Sequence, residues 1–536
     1  MSKIGRNATC HCGSEKKYKR CCGRSSPKVE LDMNFQEKIL EAQEYRRRLM
    51  QGLGKPILSY ELSGKRRIRV GSEIFNAEKA QTFHEFLLFY IKHVLLTDQW
   101  ERDELAKPDS ERHPLISWCQ KVSEHREQLV GSPKKNKIYG ARTIGVIRAY
   151  LGLAYDLYLA AHNAELPALL IKRLQNKNNF EGALYEAYVI GNFAKAGFKI
   201  EMESEDTPTT SHCEFVAIHV DTGRRFSVEA KAITSKSERS GKTSKPPRIR
   251  AQLHKALSKD LEHERIIFIE LSREHTMLEN GQPDWLQAID QEIEKAENEL
   301  TIMGNPAPPA YVFVTNRAFM HSLDEETAYP EIGLICGFKT EGFPIKNAPS
   351  MLEAVKMRKQ HIELHWLMKA ISTHSTIPAT FDDKLPEEVF SKEQIILPQI
   401  GKTFLVPDEN GREVPGVLYD GIVIENERRA AGIFKLEDGR SIIVSMPLNS
   451  VELEIYRRSP DTFFGVLKHE SRKVKDPLDM FDAVFETYSK SSRETLLKFM
   501  AEWPEIELFE SLSDIELAEF YCAQVATSMW RDSLTS

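Results

Sequence analysis

Two carboxylates and an ammonium group recur within one short stretch of this chain. Glu214-Phe-Val-Ala-Ile-His-Val220 and Arg224-Arg-Phe-Ser-Val-Glu-Ala-Lys231 are apolar-patterned runs separated by Asp221-Thr-Gly223, which reads as a β-hairpin. The second strand ends in Glu229-Ala230-Lys231. Side chains alternate along a strand, so Glu229 and Lys231 share one face, while Phe226, Val228, Ala230 and Ala232 share the other, buried face. A two-residue turn at Thr222-Gly223 sets Glu214 across from Lys231 and Val216 across from Glu229 on that same face. A four-residue turn keeps this register, whereas an odd loop needs a bulge to restore it. Two carboxylates beside an ammonium suit the holding of a divalent metal next to a phosphodiester, because hard cations prefer carboxylate oxygen.

The surrounding elements must bring these groups together. A helix over about 180–196 stops at Gly197, a good C-terminal signal. It carries Glu186 among Gly182, Ala183, Val189, Ile190 and Phe193, and a carboxylate in an apolar stripe is costly unless it is paired or binds metal. Glu181 is an alternative nearer the helix start, where it also complements the helix dipole. Strands follow near 199–202, 214–220 and 225–233, then a basic loop with Pro246-Pro247 and a helix near 249–261. Strands at 265–271, 310–315 and 333–338 and an amphipathic helix over 285–302 complete an α/β pattern, a mixed sheet with helices on its faces. Between Lys236 and Lys255 there are seven Lys/Arg and one acid, Glu238. A basic run is ordinarily a solvated loop. Here it follows the acidic hairpin directly, which places Lys236, Lys242, Lys245, Arg248 and Arg250 to grip a phosphate backbone.

The order helix with acid, strand with acid, strand with Glu-x-Lys, then helix resembles the PD-(D/E)xK nuclease superfamily, especially the restriction-endonuclease-like branch related to Mrr. The resemblance spans roughly 178–275. Glu186 lies on the counterpart of that family's leading helix. Glu214 takes the place of its second-motif Asp, with Cys213 where proline is usual. Glu229 and Lys231 match the third motif, and Gln252 resembles a later helix glutamine. The resemblance implies an α/β, restriction-endonuclease-like mixed-sheet core and a metal-dependent endonuclease, acting on DNA in restriction, phage defence or repair. In it, Glu214, Glu229 and Glu186 hold Mg²⁺ or Mn²⁺, with the Ala230 carbonyl as a further ligand, and Lys231 orients or activates the attacking water. Ordinary structural roles stay open beside this. Glu214 and Lys231 also suit a cross-strand ion pair, Glu229 a solvated strand end and Glu186 a surface position. The alternative function is a non-enzymatic adaptor, or a nucleic-acid- or ribosome-binding protein, on a degenerate nuclease fold.

A second constellation stands at the N-terminus. Cys10-His-Cys12, eight residues, then Cys21-Cys22 can supply four soft ligands in a tetrahedron, and so short a segment needs a metal for its folding energy. The text from Gly5 to Gly23 closely resembles the SEC-C motif, a small zinc module, in its Cys-Cys version. It departs in having His11 where proline is common and Glu15 where glycine is common. That resemblance implies structural Zn²⁺ on Cys10, Cys12, Cys21 and Cys22 and a docking role toward proteins or ribosomes.

The chain has 536 residues, 28% charged, and a net charge of −6, so nucleic acid is favoured only by the local basic patches. Met1 to Arg24 carries seven Lys/Arg and one Glu, while Asp476 to the end carries 13 acidic and 4 basic residues. No apolar run reaches membrane-span length, the polar start lacks a signal peptide, and the scattered single cysteines suit a reducing cytoplasm. The domain reading is a zinc module at 1–25 and a helical domain at 26–175. The nuclease-like domain follows at 176–345, then a helical connector at 346–390. A small β barrel or sandwich at 391–457 precedes an acidic helical region at 458–536, which offers a further surface for protein partners. No membrane partner is expected, and an oligomer is compatible with the sequence.

Overall fold

The computed structural model describes residues 33–63, 65–78, 82–130, 143–202, 213–233, 249–274, 276–326, 331–390, 395, 397–468, 474–503, 509 and 511–535. The chain forms two compact units, Met1–Tyr45 with Ile396–Ser471, and Arg46–Ile395 with Arg472–Ser536. Among the described residues no helix is long and apolar enough to cross a membrane.

After α1 (Met33–Gln51), the larger unit opens with an antiparallel sheet of β1 (Leu58–Leu62), β2 (Lys65–Val70) and β3 (Glu73–Glu78). This corrects the all-helical reading of 26–175. Period-2 alternation explains it: Ile68, Val70 and Phe75 are buried on one face, while Arg67 and Arg69 fall on the other. Helices α2 (Phe83–Leu95), α3 (Asp98–Leu105), α4 (Pro114–Val130), α5 (Gly145–Asn163) and α6 (Ala168–Leu174) follow. A capping box between Thr82 and Glu85 starts α2, whose Phe83, Phe86, Leu87, Tyr90 and Ile91 form its buried stripe.

Next come α7 (Phe180–Lys195), β4 (Phe198–Met202), β5 (Phe215–His219), β6 (Arg225–Ala232), α8 (Ile249–Leu257), β7 (Glu264–Glu270), α9 (Leu286–Glu299), the small pair β8 (Thr301–Ile302) and β9 (Asn305–Pro306), β10 (Ala310–Asn316) and β11 (Ile332–Phe338). The principal sheet has six strands in the order β11-β10-β7-β6-β5-β4. Strands β4 to β6 form an antiparallel meander. Strands β6, β7 and β10 are parallel, with α8 and α9 in their connections, and β11 is antiparallel at the edge. Phe215, Ala217, Phe226, Val228, Phe268 and Phe313 pack on one face with residues of α5 and α7. Ile267, Ile269, Val312 and Val314 pack on the other with residues of α8 and α9. Burial on both faces explains why β7 and β10 read as continuous apolar runs. The unit continues through α10 (Met351–Gln360), α11 (Ile362–Ser372) and α12 (Pro386–Phe390).

In the smaller unit, β12 (Thr403–Pro407), β13 (Glu413–Ile424), β14 (Arg429–Leu436) and β15 (Ser441–Pro447) form a single antiparallel sheet in that order, followed by α13 (Ser450–Arg458). The strands therefore make one four-stranded sheet, not a two-sheet sandwich. Val406, Leu418 and Phe434 are buried in it. The larger unit closes with α14 (Pro477–Tyr488), α15 (Arg493–Phe499) and α16 (Asp514–Thr535). Val355 of α10 shares a core with Phe481, Leu496 and Leu517 of these three helices.

Candidate active site

The hairpin forms, but its pairing differs from that expected. The loop covers Val220–Gly223. The His219 amide donates to the Arg224 carbonyl at 3.0 Å, the Gly223 amide donates to the His219 carbonyl at 2.8 Å, and Gly223 takes a left-handed φ of +68°. Phe215 lies opposite Val228 and Val216 opposite Ser227. The pairing is displaced by two residues, so Val216 does not face Glu229. Because the side-chain period is two, the displacement leaves each residue on its expected face. The Glu214 amide donates to the Val228 carbonyl at 3.0 Å, and Lys231 still reaches the Glu214 carboxylate.

These groups lie near the carboxyl ends of the parallel strands, the edge where open α/β sheets bind ligands. Lys231 Nζ stands 3.0 Å from Glu214 Oε1 and 2.5 Å from Glu229 Oε2. Lys259 Nζ, just beyond α8, stands 2.5 Å from Glu229 Oε1. Arg173 of α6 donates to Glu186 Oε1 at 2.7 Å. Positive and negative groups therefore alternate along Glu214, Lys231, Glu229 and Lys259, with Arg173 and Glu186 as a second pair. Access to water differs along the cluster: the Glu229 side chain is 1% exposed and Lys231 11%, but Glu214 is 23% exposed.

The electrostatics follow from this packing. Burial opposes the Lys231 charge, but Glu214 and Glu229 outweigh it and hold the ammonium pKa above its usual range. Burial, and then the neighbouring Glu214 charge, push the Glu186 carboxyl up to about 7 against the pull of Arg173. Glu186 thus titrates near neutrality in the field of the cluster. Among the described residues no three His, Cys, Asp or Glu side chains converge closely enough to hold a metal ion. The expected three-glutamate cage is replaced here by two glutamates joined through one ammonium, with Glu186 paired separately.

The other sequence-predicted residues divide clearly. Gln252 is half-buried on α8, and no hydrogen bond among the described residues ties it to the cluster. Arg250 faces α9 instead, where its Nη1 donates to Glu299 Oε2 at 2.8 Å and its amide donates to Glu292 Oε1 at 3.2 Å. Lys236, Lys242, Lys245 and Arg248, and the zinc-ligand candidates Cys10, Cys12, Cys21 and Cys22, lie outside the described residues. Sequence reading missed Arg173 and Lys259. Neither stands in a recognisable local pattern, since each meets its carboxylate only through folding.

A second charged cluster occupies the ends of the adjoining strands. Thr315 of β10 donates to Glu270 Oε2 at 2.7 Å, and the Tyr185 hydroxyl lies 2.8 Å from the Thr315 hydroxyl. The Arg317 amide donates to Glu270 Oε1 at 2.9 Å. The Arg317 guanidinium lies 3.5 Å from Glu270 Oε2 and stacks over Tyr188 at 4.8 Å. Nearby, His374 Nε2 is 2.6 Å from Asp156 Oδ1.

Residues 6–24 match the SEC-C motif. No curated protein and no solved structure matches the chain.

Proposed function

We propose that the larger unit is a metal-dependent nuclease that hydrolyses phosphodiester bonds, with DNA as its substrate, on a PD-(D/E)xK-like core. The observation that carries this reading is Lys231, whose ammonium is held between the Glu214 and Glu229 carboxylates near the carboxyl ends of the parallel strands. Two hard-oxygen ligands already converge on one positive centre, which is the donor chemistry that Mg²⁺ or Mn²⁺ requires. The element order from α7 through the β4–β6 meander and α8 to β7 is also the order that the resemblance implies.

Glu214 and Glu229 would hold the ion. When bound, the ion supplies charge neutralisation at the phosphate and a lowered pKa for the attacking water. Lys231 orients that water and offsets the charge that develops on the phosphoryl oxygens. Lys259 holds the second Glu229 oxygen and fixes the carboxylate. Separately, the match at residues 6–24 supports a zinc module on Cys10, Cys12, Cys21 and Cys22, serving to dock a partner. Metal analysis of the purified chain should find one zinc per molecule.

One observation favours a second reading. Both Glu229 oxygens are met by ammonium groups, which also suits a purely structural ion-pair chain in a non-enzymatic adaptor. Incubating the full-length protein with plasmid DNA and with RNA, in Mg²⁺, Mn²⁺ or EDTA, separates the two. The nuclease reading requires cleavage of the DNA that EDTA stops and that Glu229→Gln and Lys231→Ala abolish while the circular dichroism spectrum is unchanged. Binding without cleavage, or cleavage retained in both variants, rejects it.

A further inference from the structure

We infer that the outer face of the β1–β3 sheet binds a nucleic-acid strand. The three-stranded register determines which residues share that face. Leu58 pairs with Arg69, Tyr60 with Arg67 and Leu62 with Lys65. Across the central strand, Arg69 pairs with Ile74, Arg67 with Asn76 and Lys65 with Glu78. One face therefore carries Lys65, Arg67 and Arg69 in a row along β2, spaced by about 6.8 Å as alternate residues of a strand are. Tyr60 and Ile74 flank that row and are 47% and 57% exposed. The other face is the buried one, with Ile68, Val70 and Phe75.

The charges of the two faces are used differently. On the inner side Arg66 pairs with Glu61 at 3.5 Å and lies over the Phe381 ring at 4.8 Å. On the outer side Arg69 donates to the Gly71 carbonyl at 2.8 Å. Among the described residues, none of Lys65, Arg67 and Arg69 forms an ion pair. A row of cations, with one acid, Glu78, opposite Lys65, beside an exposed tyrosine and aliphatic side chains complements a polyanion that also presents flat apolar faces. A single-stranded nucleic acid has this combination, with phosphates for the cations and bases for Tyr60 to stack on. An acidic polypeptide supplies the charge without the stacking surface.

The inference rests only on the nucleic-acid part of the proposed function, and its test is independent of cleavage. Fluorescence anisotropy with labelled 20-nucleotide single-stranded DNA, in EDTA and across a salt series, compares the full-length protein with Arg67→Glu/Arg69→Glu and with Tyr60→Ala. The charge reversal should weaken binding at least about tenfold and flatten the salt dependence by about one to two phosphate contacts. Tyr60→Ala should weaken it severalfold with the salt dependence unchanged. Arg412→Glu in the smaller unit controls for general charge, and circular dichroism controls for folding. Wild-type binding in the folded double variant overturns the inference. So does tighter, face-dependent binding of polyglutamate than of the oligonucleotide. Binding lost in the double variant of a protein that cleaves nothing leaves the face standing and the nuclease reading refuted. Lys231-dependent cleavage with binding unaffected by the double variant refutes the face and leaves the nuclease reading standing.

Discussion

Two charged clusters lie near the carboxyl ends of neighbouring strands in the principal sheet, and they differ in access to water. In one, Glu270, Arg317, Thr315 and Tyr185 are sealed, with the Glu270 and Arg317 side chains 4% and 8% exposed. In the other, Glu229 is equally buried, but its partners Lys231 and Lys259 lead outward, and Lys259 is 24% exposed. The residue types are alike. What differs is whether a counter-charge can be exchanged for a ligand from solution. The sealed cluster ties α7, β7 and β10 together and has nothing to exchange. In the half-open one the ammonium groups of Lys231 and Lys259 are partly exposed, at 11% and 24%.

Substitutions that remove one partner probe this contrast. Arg317→Met leaves Glu270 charged and buried, and should lower unfolding free energy by about 3–5 kcal/mol. Urea denaturation measures it, and a loss below about 1 kcal/mol would contradict a sealed pair. Replacing both partners, Glu270→Leu with Arg317→Met, should recover only part of that loss, because the Thr315 hydroxyl and the Arg317 amide then lose their acceptor and Glu331 loses the Arg317 charge.

The next effect is in pH dependence. A carboxyl raised from 4.5 to about 7 in the folded state binds its proton more tightly there. It favours folding below about pH 4.5, and that contribution is lost as pH rises through about 7. Glu186→Gln should therefore remove about 2 kcal/mol of the stability difference between pH 5 and pH 8, with the variant gaining most at pH 8. Melting curves at the two pH values read this directly, and an unchanged difference would place Glu186 outside the cluster's field. The smallest effect belongs to Arg250→Ala. Loss of its exposed pair with Glu299 should leave the thermal melting curve nearly unchanged, and should leave oligonucleotide binding unchanged. A large loss of binding would restore Arg250 to the phosphate-gripping role read from the sequence.

Much of the core was legible because its elements carry strong local patterns. The α7 helix stops just before Gly197, the β6 run alternates, and β5, β7 and β10 are largely apolar runs, so their existence and order could be read directly. The hairpin's facing was also legible, since period two fixes it. Its pairing was not, because the loop is centred one residue earlier than Thr222-Gly223, over Val220–Gly223, and the sequence there permits both. Strands β1 to β3 were lost among helical stripes, although Ile68 and Val70 alternating with Arg67 and Arg69, and turn residues at Ser63-Gly64 and Gly71-Ser72, mark them. Arg173 and Lys259 had no local mark at all. A carboxylate's need for a counter-charge can be read from one residue, but the residue that answers it is chosen by tertiary packing.

Whether the half-open cluster holds a metal is decided by calorimetric titration of the full-length protein with Mn²⁺. Saturable binding is expected, and Glu229→Gln should abolish it with the folded state intact, because the ion and the Lys231 ammonium compete for the same carboxylates. Saturable binding undiminished in folded Glu229→Gln, or no binding at all by the wild-type protein at millimolar Mn²⁺, would contradict a metal site at this cluster.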